Sequence, residues 1–224
     1  VTTIVHASSS CFKNDNYASA GTADDDITIE GITFDADTTW SGAVDMQGVN
    51  RLTLRNLQFK NVKVTGVTAG IGIASKAAVN CQDITIENCI FDVPDYGIVF
   101  DADVGSIENI SIAGNKFRIN WGSAIGVGGV VKEIAISNNI IELLGDLPDL
   151  SLDTGVGIGV KTVDGTSTTN APTDITITGN VFIGPTSRTL IAAISLANYT
   201  NNVAVTGNTF RECTKTGSSS SSRY

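Results

Sequence analysis

The sequence predicts an all-β solenoid, because one short pattern returns along almost the whole chain. Its clearest copy is DITITGNVF, residues 174–182, in which a strand is followed by a Gly-Asn corner and a second strand that ends on Phe182. Seven copies begin at residues 27, 52, 84, 110, 134, 175 and 203, so the spacings are 25, 32, 26, 24, 41 and 28 residues. Self-similarity at such a period is the signature of stacked repeats.

A second pattern, which plays no part in defining the first, supports the same architecture. After a variable loop, six coils carry a small residue, an apolar residue, any residue and another apolar residue. These segments are Ala43–Met46, Gly70–Ile73, Gly97–Phe100, Ala124–Val127, Gly157–Val160 and Ala193–Leu196. Together with the two short strands of the first pattern, they predict three strands per coil and about 7–8 coils.

The elements of each copy follow from residue type. The first and third positions are Ile, Leu or Val and the second is Thr, Ser or Ala, which predicts a strand with one buried face. The fifth position is always Gly or Asn, and these residues tolerate the left-handed backbone of a sharp corner. The eighth position is Phe in six copies and Ile141 in the fifth, so stacking the coils creates an aromatic column.

The sixth position predicts a hydrogen-bonded ladder. Its occupants, in chain order, are Ile32, Leu57, Cys89, Asn115, Asn139, Asn180 and Asn208. If the coils stack in register, this column is apolar in the first three copies and asparagine in the last four. Stacked carboxamides can hydrogen-bond along such a column.

These strands, corners and columns resemble the right-handed parallel β-helix of the pectate-lyase-like superfamily, and most closely the tailspike and polysaccharide depolymerase domains of bacteriophages. The resemblance implies a single β-helix domain over residues 1–213, with residues 1–26 as an incomplete first rung and loop. Residues 214–224 are serine-rich and are expected to form a flexible tail. The fold hosts lyases, hydrolases, epimerases, adhesins and tailspikes, so it says little about chemistry.

Composition narrows the possible partners. The net charge of −9 argues against a nucleic acid, whose phosphates need a basic surface. No apolar run approaches 18 residues, so no membrane span is expected. We also expect no signal peptide, and a start at Val1 suits a processed or excised piece. The cysteines Cys11, Cys81, Cys89 and Cys213 are expected to be free thiols, with a Cys81–Cys89 bridge as the alternative.

The resemblance implies a ligand groove along the sheet that the second pattern forms. Alternation predicts that the residues between the inward apolar ones form three outward columns. These columns are Ala43, Gly70, Gly97, Ala124, Gly157 and Ala193; then Asp45, Gly72, Val99, Gly126, Gly159 and Ser195; then Gln47, Ala74, Asp101, Gly128, Lys161 and Ala197. This predicts a flat floor with polar side chains at Asp45, Gln47, Asp101, Lys161 and Ser195 as substrate-binding or catalytic candidates. The alternative is that Gly and Ala merely suit tight coiling.

Aromatic residues point to the same face. Trp40 and Trp121 each lie four residues before the first inward apolar residue of their second strand, so they occupy equivalent positions three coils apart. At the usual strand spacing this is ~14 Å, which suits stacking on sugar rings, and Tyr96 lies on a coil between them. The alternative places both tryptophans under loops.

Carboxylates supply candidate catalytic groups. Glycoside hydrolysis needs two carboxyl groups, about 5–5.5 Å apart for retention or about 6.5–9.5 Å for inversion. Asp101 and Asp103 are two residues apart on one strand, ~6.5–7 Å, with Asp95 on the adjoining loop and Asp45 two coils away at ~10 Å. The alternative is a solvated acidic edge.

Other chemistries are disfavoured. The motifs of polygalacturonases, pectate lyases and alginate epimerases are absent, and the single histidine, His6, lies in the first strand. We therefore expect no metal site and no cofactor.

The sequence hence predicts a tailspike-like β-helix that binds, and as an enzyme would cleave, a bacterial surface polysaccharide by hydrolysis or elimination. The alternatives are a non-catalytic glycan-binding module and a structural shaft or adhesin. The resemblance implies placement outside the cell or on a virion surface, and it leaves a homotrimer open.

Overall fold

A computed structural model of the protein describes residues 2–5, 12–14, 23–35, 42–60, 69–75, 79–93, 96–119, 122–144, 156–161, 171–185, 192–196 and 199–213. For residues 2–5 and for Val93, Asp103, Val104 and Lys161 the backbone alone is described. Within this part of the chain the strands are, in order, β1 (Thr2–Val5), β2 (Phe12–Lys13), β3 (Asp24–Glu30), β4 (Ile32–Asp35), β5 (Val44–Gln47), β6 (Val49–Arg55), β7 (Gln58–Lys60), β8 (Ala69–Ser75), β9 (Cys81–Glu87), β10 (Ile90–Val93), β11 (Tyr96–Ala113), β12 (Lys116–Ile119), β13 (Ser123–Ser137), β14 (Ile140–Leu143), β15 (Val156–Lys161), β16 (Thr173–Thr178), β17 (Val181–Ile183), β18 (Ala192–Leu196), β19 (Asn201–Thr206) and β20 (Thr209–Arg211).

The strands form three faces, and each coil of the chain visits them in the same order. Face 1 comprises β3, β6, β9, β16, β19 and the last parts of β11 and β13. Face 2 is the eight-stranded sheet β1-β4-β7-β10-β12-β14-β17-β20. Face 3 comprises β2, β5, β8, β15, β18 and the first parts of β11 and β13. Faces 1 and 3 belong to one sheet, because β11 and β13 pass through the corner between them without a break.

Strand pairing establishes a parallel β-helix. Neighbouring strands on every face are parallel, as in the pairs β10–β12, β13–β15 and β16–β19. Both sequence patterns stack in the predicted register. On face 1 the first positions of the copies align, and on face 3 the aligned column is Val44, Ile71, Ile98, Ile125, Ile158 and Ile194. The predicted fold class is thus confirmed.

The core contains the predicted aromatic column. Phe34, Phe59, Phe91 and Phe117 stack nearly parallel, with successive ring centroids 5.0, 4.7 and 4.6 Å apart. Buried Ile141 interrupts the column, as the fifth copy predicts. The stack resumes with Phe182 and Phe210, whose centroids are 5.1 Å apart.

The asparagine ladder is also confirmed. The Oδ1 atom of Asn139 accepts hydrogen bonds from the backbone nitrogen of Asn115 (2.9 Å) and from its Nδ2 atom (3.0 Å). Asn180 does the same for Asn139, and Asn208 for Asn180. Cys89 opens the ladder by donating its backbone N–H to Asn115. Each buried carboxamide therefore joins two coils.

Each coil turns at two left-handed residues, only one of which was predicted. The Gly or Asn at the fifth position has a φ between 54° and 69° in every copy. The residue before each copy is also left-handed, with φ from 53° to 60°, and these residues are Asp26, Arg51, Asp83, Asn109, Glu133, Asp174 and Asn202. Five of the seven are Asp or Asn, which tolerate this conformation best among residues with a side chain. That enrichment is the signal by which the sequence could have revealed the second corner.

The first of the three predicted outward columns faces the interior instead. Ala43 and Ala124 are fully buried, and a Cβ atom on Gly97 would lie 2.7 Å from Cδ1 of Phe117. The chain enters face 3 through a bend, so Ala43 and Val44 both point inward and strict alternation begins only afterwards. These small residues make room for the aromatic column rather than for a ligand.

Gly157→Ala is expected to destabilise the protein by about 1–3 kcal/mol, the range for overpacking a core. The added Cβ atom would overlap the carbonyl oxygen of Ala193 and would lie 2.8 Å from Cε1 of Phe182. The matched control is Gly126→Ala on the outer side of face 3, where the nearest atom is Cγ2 of Val99 at 3.7 Å. Urea denaturation of both variants should show a lower midpoint for the first alone. Equal midpoints would contradict the inward assignment.

Three of the four cysteines lie within the described residues, and all three are free thiols, as predicted. Burial raises the pKa of Cys81 and raises that of Cys89 to about 11, so both stay protonated at neutral pH. Cys11 lies outside the described residues.

Candidate functional site

The outer surface of face 3 carries the second predicted column in its expected orientation. Asp45, Gly72, Val99, Gly126 and Gly159 are half-buried and Ser195 is exposed, and the six residues align across neighbouring strands. The glycines in this column have no side chains that project from the sheet. A Cβ atom on Gly72 would lie 3.5 Å from Oδ1 of Asp45, so the Asp45 carboxylate leans over the neighbouring strand.

The third column alternates polar and small residues. Gln47 aligns with Ala74, Ala74 with Asp101, Asp101 with Gly128, and Gly128 with Lys161. At a strand spacing of about 4.8 Å, successive polar residues in this column are ~10 Å apart with a small residue between them. The small residue Ala74, which is itself buried, lies between Gln47 and Asp101 in this column.

Gln47 has an unusual environment for a residue on an outer strand surface. It is 6% exposed, and its backbone is fixed by the side chain of Asn14. The Nδ2 atom of Asn14 donates to the Gln47 carbonyl at 2.6 Å, while its Oδ1 atom accepts from the Gln47 nitrogen at 2.9 Å. Among the described residues, none forms a hydrogen bond with the side-chain carboxamide of Gln47. A buried carboxamide needs hydrogen-bond partners, so those of Gln47 lie outside the described residues or on a ligand.

The carboxylates of Asp45 and Asp101 are not direct neighbours. Asp45 aligns with Val99, so Asp101 lies two strands away and two residues further along its strand. This offset places their Cα atoms ~12 Å apart, beyond the ~10 Å expected from strand spacing alone. Inverting glycosidases hold their carboxyl groups about 6.5–9.5 Å apart, so Asp45 and Asp101 would act together only with their side chains turned towards each other.

Asp101 lies directly before an irregularity in β11. The register between β11 and β13 shifts between Ala102 and Ile107. Gly105 has a φ of 103°, and the backbone nitrogen of Ser106 donates to Oδ1 of Asn80 at 3.0 Å. A bulge of this kind redirects a strand and is common beside functional sites. The backbone of Asp103 lies inside it.

Several predicted site residues cannot be placed against these neighbours. Trp40, Trp121 and Asp95 lie outside the described residues, as do the side chains of Asp103 and Lys161. Tyr96 is half-buried at the other end of the β11 segment that carries Asp101, and it aligns with Ala69. Five strand residues separate Tyr96 from Asp101, or ~16 Å.

Ion pairs concentrate on faces 1 and 2. Arg51 pairs with Asp26, Arg55 with Glu30, Lys132 with Glu108, and Arg118 with Asp92 and Glu142. The hydrogen bond from Arg51 lowers the pKa of Asp26, and hydrogen bonds from Ser106 and then Lys132 lower that of Glu108. These pairs are largely solvent-exposed, so each contributes little to stability.

Two features are absent from the described residues. No group of three or more His, Cys, Asp or Glu side chains in this part of the chain could hold a metal ion. The same residues contain no helix with the length and apolar character needed to cross a membrane.

No family model matches the chain, and no curated protein matches it in sequence. One similar solved structure is a tailspike protein mutant of E. coli bacteriophage HK620 in complex with a pentasaccharide, with 15% sequence identity and a TM-score of 0.40. The match covers 82% of this chain and 44% of that one, so this chain spans less than half the length of that tailspike chain. The fold assignment rests on strand pairing, and a likeness at this level says nothing about function.

Proposed function

We propose that face 3 binds an extended, uncharged polysaccharide that lies along the helix axis. The observation that carries the proposal is the alternation of polar and small residues in the column from Gln47 to Lys161. A sugar chain presents hydroxyl groups at regular intervals, and a row of polar residues ~10 Å apart with small residues between them suits such a ligand. The Gln47 carboxamide, for which the described residues supply no hydrogen-bond partner, would meet a hydroxyl group there.

Charge and aromatic content support the same ligand class. The net charge of −9 disfavours acidic polymers, and the described outward charges of β5, β8 and β11 on this face are the carboxylates Asp45 and Asp101. Tyr96 offers a partly exposed aromatic ring at the edge of the face, where it can contact the apolar side of a sugar. Trp40 and Trp121 stay predicted sugar-stacking residues.

Cleavage of the bound chain is the second candidate function. The position of Asp101 directly before the bulge in β11 favours it, since bulges re-aim side chains next to active sites. A hydrolase would need a second carboxyl group, for which Asp103 and Asp95 stay the predicted partners of Asp101. Placement outside the cell or on a virion, and a homotrimer, likewise stay predictions.

Gln47→Leu is expected to weaken glycan binding about 5- to 10-fold, the effect of losing one hydrogen bond of ~1 kcal/mol. The substitution preserves side-chain volume and removes a buried amide that has no hydrogen-bond partner among the described residues, so the melting temperature should stay equal or rise. A panel of polysaccharides is screened against the full chain, and affinities are measured by isothermal titration calorimetry. The matched control is Gln58→Leu on face 2, which should leave affinity unchanged.

Two results would contradict the proposal. If the wild-type chain binds none of the polysaccharides, a structural role is favoured over glycan binding. If Gln47→Leu and Gln58→Leu bind equally well, the ligand lies elsewhere. The same panel tests cleavage through the release of reducing ends, or of products absorbing in the ultraviolet for a lyase. Asp101→Asn should abolish that release, and unchanged release would overturn the role of Asp101.

A further inference from the structure

Face 2 carries two exposed isoleucines on its outer surface. Ile90 is 41% exposed and Ile140 42%, and the other large hydrophobic side chains that are this exposed in the described part of the chain all lie between residues 196 and 210. The two isoleucines belong to one column of outward positions, column A. It consists of Thr33, Gln58, Ile90, Lys116, Ile140, Val181 and Thr209. Lys116 lies between the isoleucines, so its apolar stem extends the same strip of surface.

A second outward column of face 2, column B, alternates in charge. In order along the axis of the β-helix it contains Asp35, Lys60, Asp92, Arg118, Glu142, Ile183 and Arg211. Arg118 forms ion pairs with both of its neighbours, Asp92 at 3.2 Å and Glu142 at 3.3 Å. Lys60 and Lys116 form no ion pair with the other described residues. Pairing within the chain therefore accounts for part of this surface, and it does not account for the isoleucines of column A.

Two copies of face 2 can be placed against each other with their helix axes parallel or antiparallel. With parallel axes, every strand faces its own copy in the opposite direction, so column A faces column B. Lys116 then opposes Arg118 of the second copy, and Ile90 opposes Asp92 of the second copy. This orientation brings like charges together and places apolar side chains against carboxylates, so it is unfavourable.

With antiparallel axes, face 2 is complementary to itself. A two-fold axis that runs along the strand direction between β10 and β12 places each column against the same column of the second copy. In column B, Asp92 then opposes Arg118, and Lys60 opposes Glu142. Each contact occurs twice because of the symmetry. All four contacts join opposite charges, and no like charges oppose each other across the described strands of the two columns.

Column A also matches in the antiparallel orientation. Ile90 opposes Lys116, whose stem can cover it, while the ammonium group of that lysine lies beside Asp92 of the second copy. Ile140 opposes Gln58, whose side chain is half-buried on the outer surface. Both exposed isoleucines thus gain a neighbour, and the cation between them gains a carboxylate.

We propose that face 2 is the interface of an antiparallel dimer of this chain. A second copy is the occupant, because the charges and apolar residues of face 2 complement those of face 2 itself in one of the two orientations. The six strands from β4 to β17 span ~24 Å, which is short for a standard interface, so the dimer is weak and forms at high protein concentration. Face 3 stays exposed in this dimer, so the interface is independent of the proposed glycan-binding surface.

A charge swap tests the dimer on the full chain, with self-association measured by sedimentation equilibrium up to millimolar concentration. Lys60→Glu and Glu142→Lys each place like charges opposite each other, and each should weaken the wild-type dimer at least ~10-fold. The double variant restores opposite charges at both contacts and should recover association. Within one chain these two residues lie three strands apart, ~14 Å, so recovery reports contact between copies.

Arg55→Glu on face 1 is the matched control, because it changes the net charge by the same amount as Lys60→Glu and should leave association unchanged. Circular dichroism melting curves of all variants confirm that each is folded when it is measured. The proposal is overturned if the wild-type chain stays monomeric at millimolar concentration, or if the double variant associates no better than the single variants. It is likewise overturned if the wild type associates and Lys60→Glu behaves like Arg55→Glu, because the copies then meet through another face.

Discussion

Asn180→Leu is expected to lower the free energy of unfolding by about 3–5 kcal/mol, because it leaves several buried polar groups without their hydrogen-bond partners. Asn180 is fully buried. Its Oδ1 atom accepts from the backbone nitrogen and the Nδ2 atom of Asn139, both at 2.9 Å. Its Nδ2 atom donates to the carbonyl of Ile136 at 2.9 Å and to Oδ1 of Asn208 at 3.0 Å. Leucine has similar volume but satisfies none of these partners.

Asn208, the last asparagine of the ladder among the described residues, provides the control. Asn208→Leu removes the same kind of acceptor, but Asn208 is only half-buried, so water can replace part of what is lost. It should cost about 1–2 kcal/mol less than Asn180→Leu. Urea denaturation followed by circular dichroism gives both values. A loss below 1 kcal/mol for Asn180→Leu would show that the ladder contributes little to stability, and equal losses for the two variants would contradict the effect of burial.

The ladder could be predicted because the corner before it has constant length. In every copy the Gly or Asn corner and the following residue occupy fixed positions, so stacking the copies aligns the asparagines without further assumptions. The aromatic column follows for the same reason. The sequence could also place the start of the ladder at Asn115, since the three preceding residues in the column lack a carboxamide. What it could not show is that the backbone of Cys89 joins the ladder.

The inward column of Ala43 and Ala124 could not be predicted, because strict alternation fails at a bend. A period of two assigns neighbouring residues to opposite sides of a strand, and it contains no sign that Ala124 and Ile125, both within β13, face the interior together. The sequence shows the small size of these residues but not its cause. Three glycines of the same column, Gly70, Gly97 and Gly157, lie against phenylalanine rings that are distant in sequence.

The candidate site was harder to predict than the fold for a related reason. Asp45, Gln47 and Asp101 lie on strands of fixed register, so their columns followed from the second pattern. Trp40, Trp121 and Asp95 lie in connections whose length differs from coil to coil, and no repeat fixes their positions. The environment of Gln47 depends on Asn14, which is distant in sequence and belongs to no repeat.

Phe91→Ala is the second substitution for which we expect a loss of about 3–5 kcal/mol, the range for truncating a buried aromatic residue. Phe91 is fully buried in the middle of the column, with its ring centroid 4.7 Å from that of Phe59 and 4.6 Å from that of Phe117. The substitution leaves a cavity and removes two stacking contacts. Phe91→Ile should cost less, because Ile141 occupies the equivalent position in the fifth copy.

Gly70 allows the origin of that loss to be tested by a double-mutant cycle. A Cβ atom on Gly70 would lie 3.2 Å from Cδ1 and 3.3 Å from Cε1 of Phe91, and 3.1 Å from the carbonyl oxygen of Gly97. Gly70→Ala alone should therefore destabilise the protein, whereas in the Phe91→Ala background its methyl group enters the cavity and should recover stability. We expect a coupling of about 1 kcal/mol or more between the two sites. Additive losses in urea denaturation would mean that contact with the phenylalanine rings does not explain why this column holds small residues. The curvature of the coil would then be the explanation.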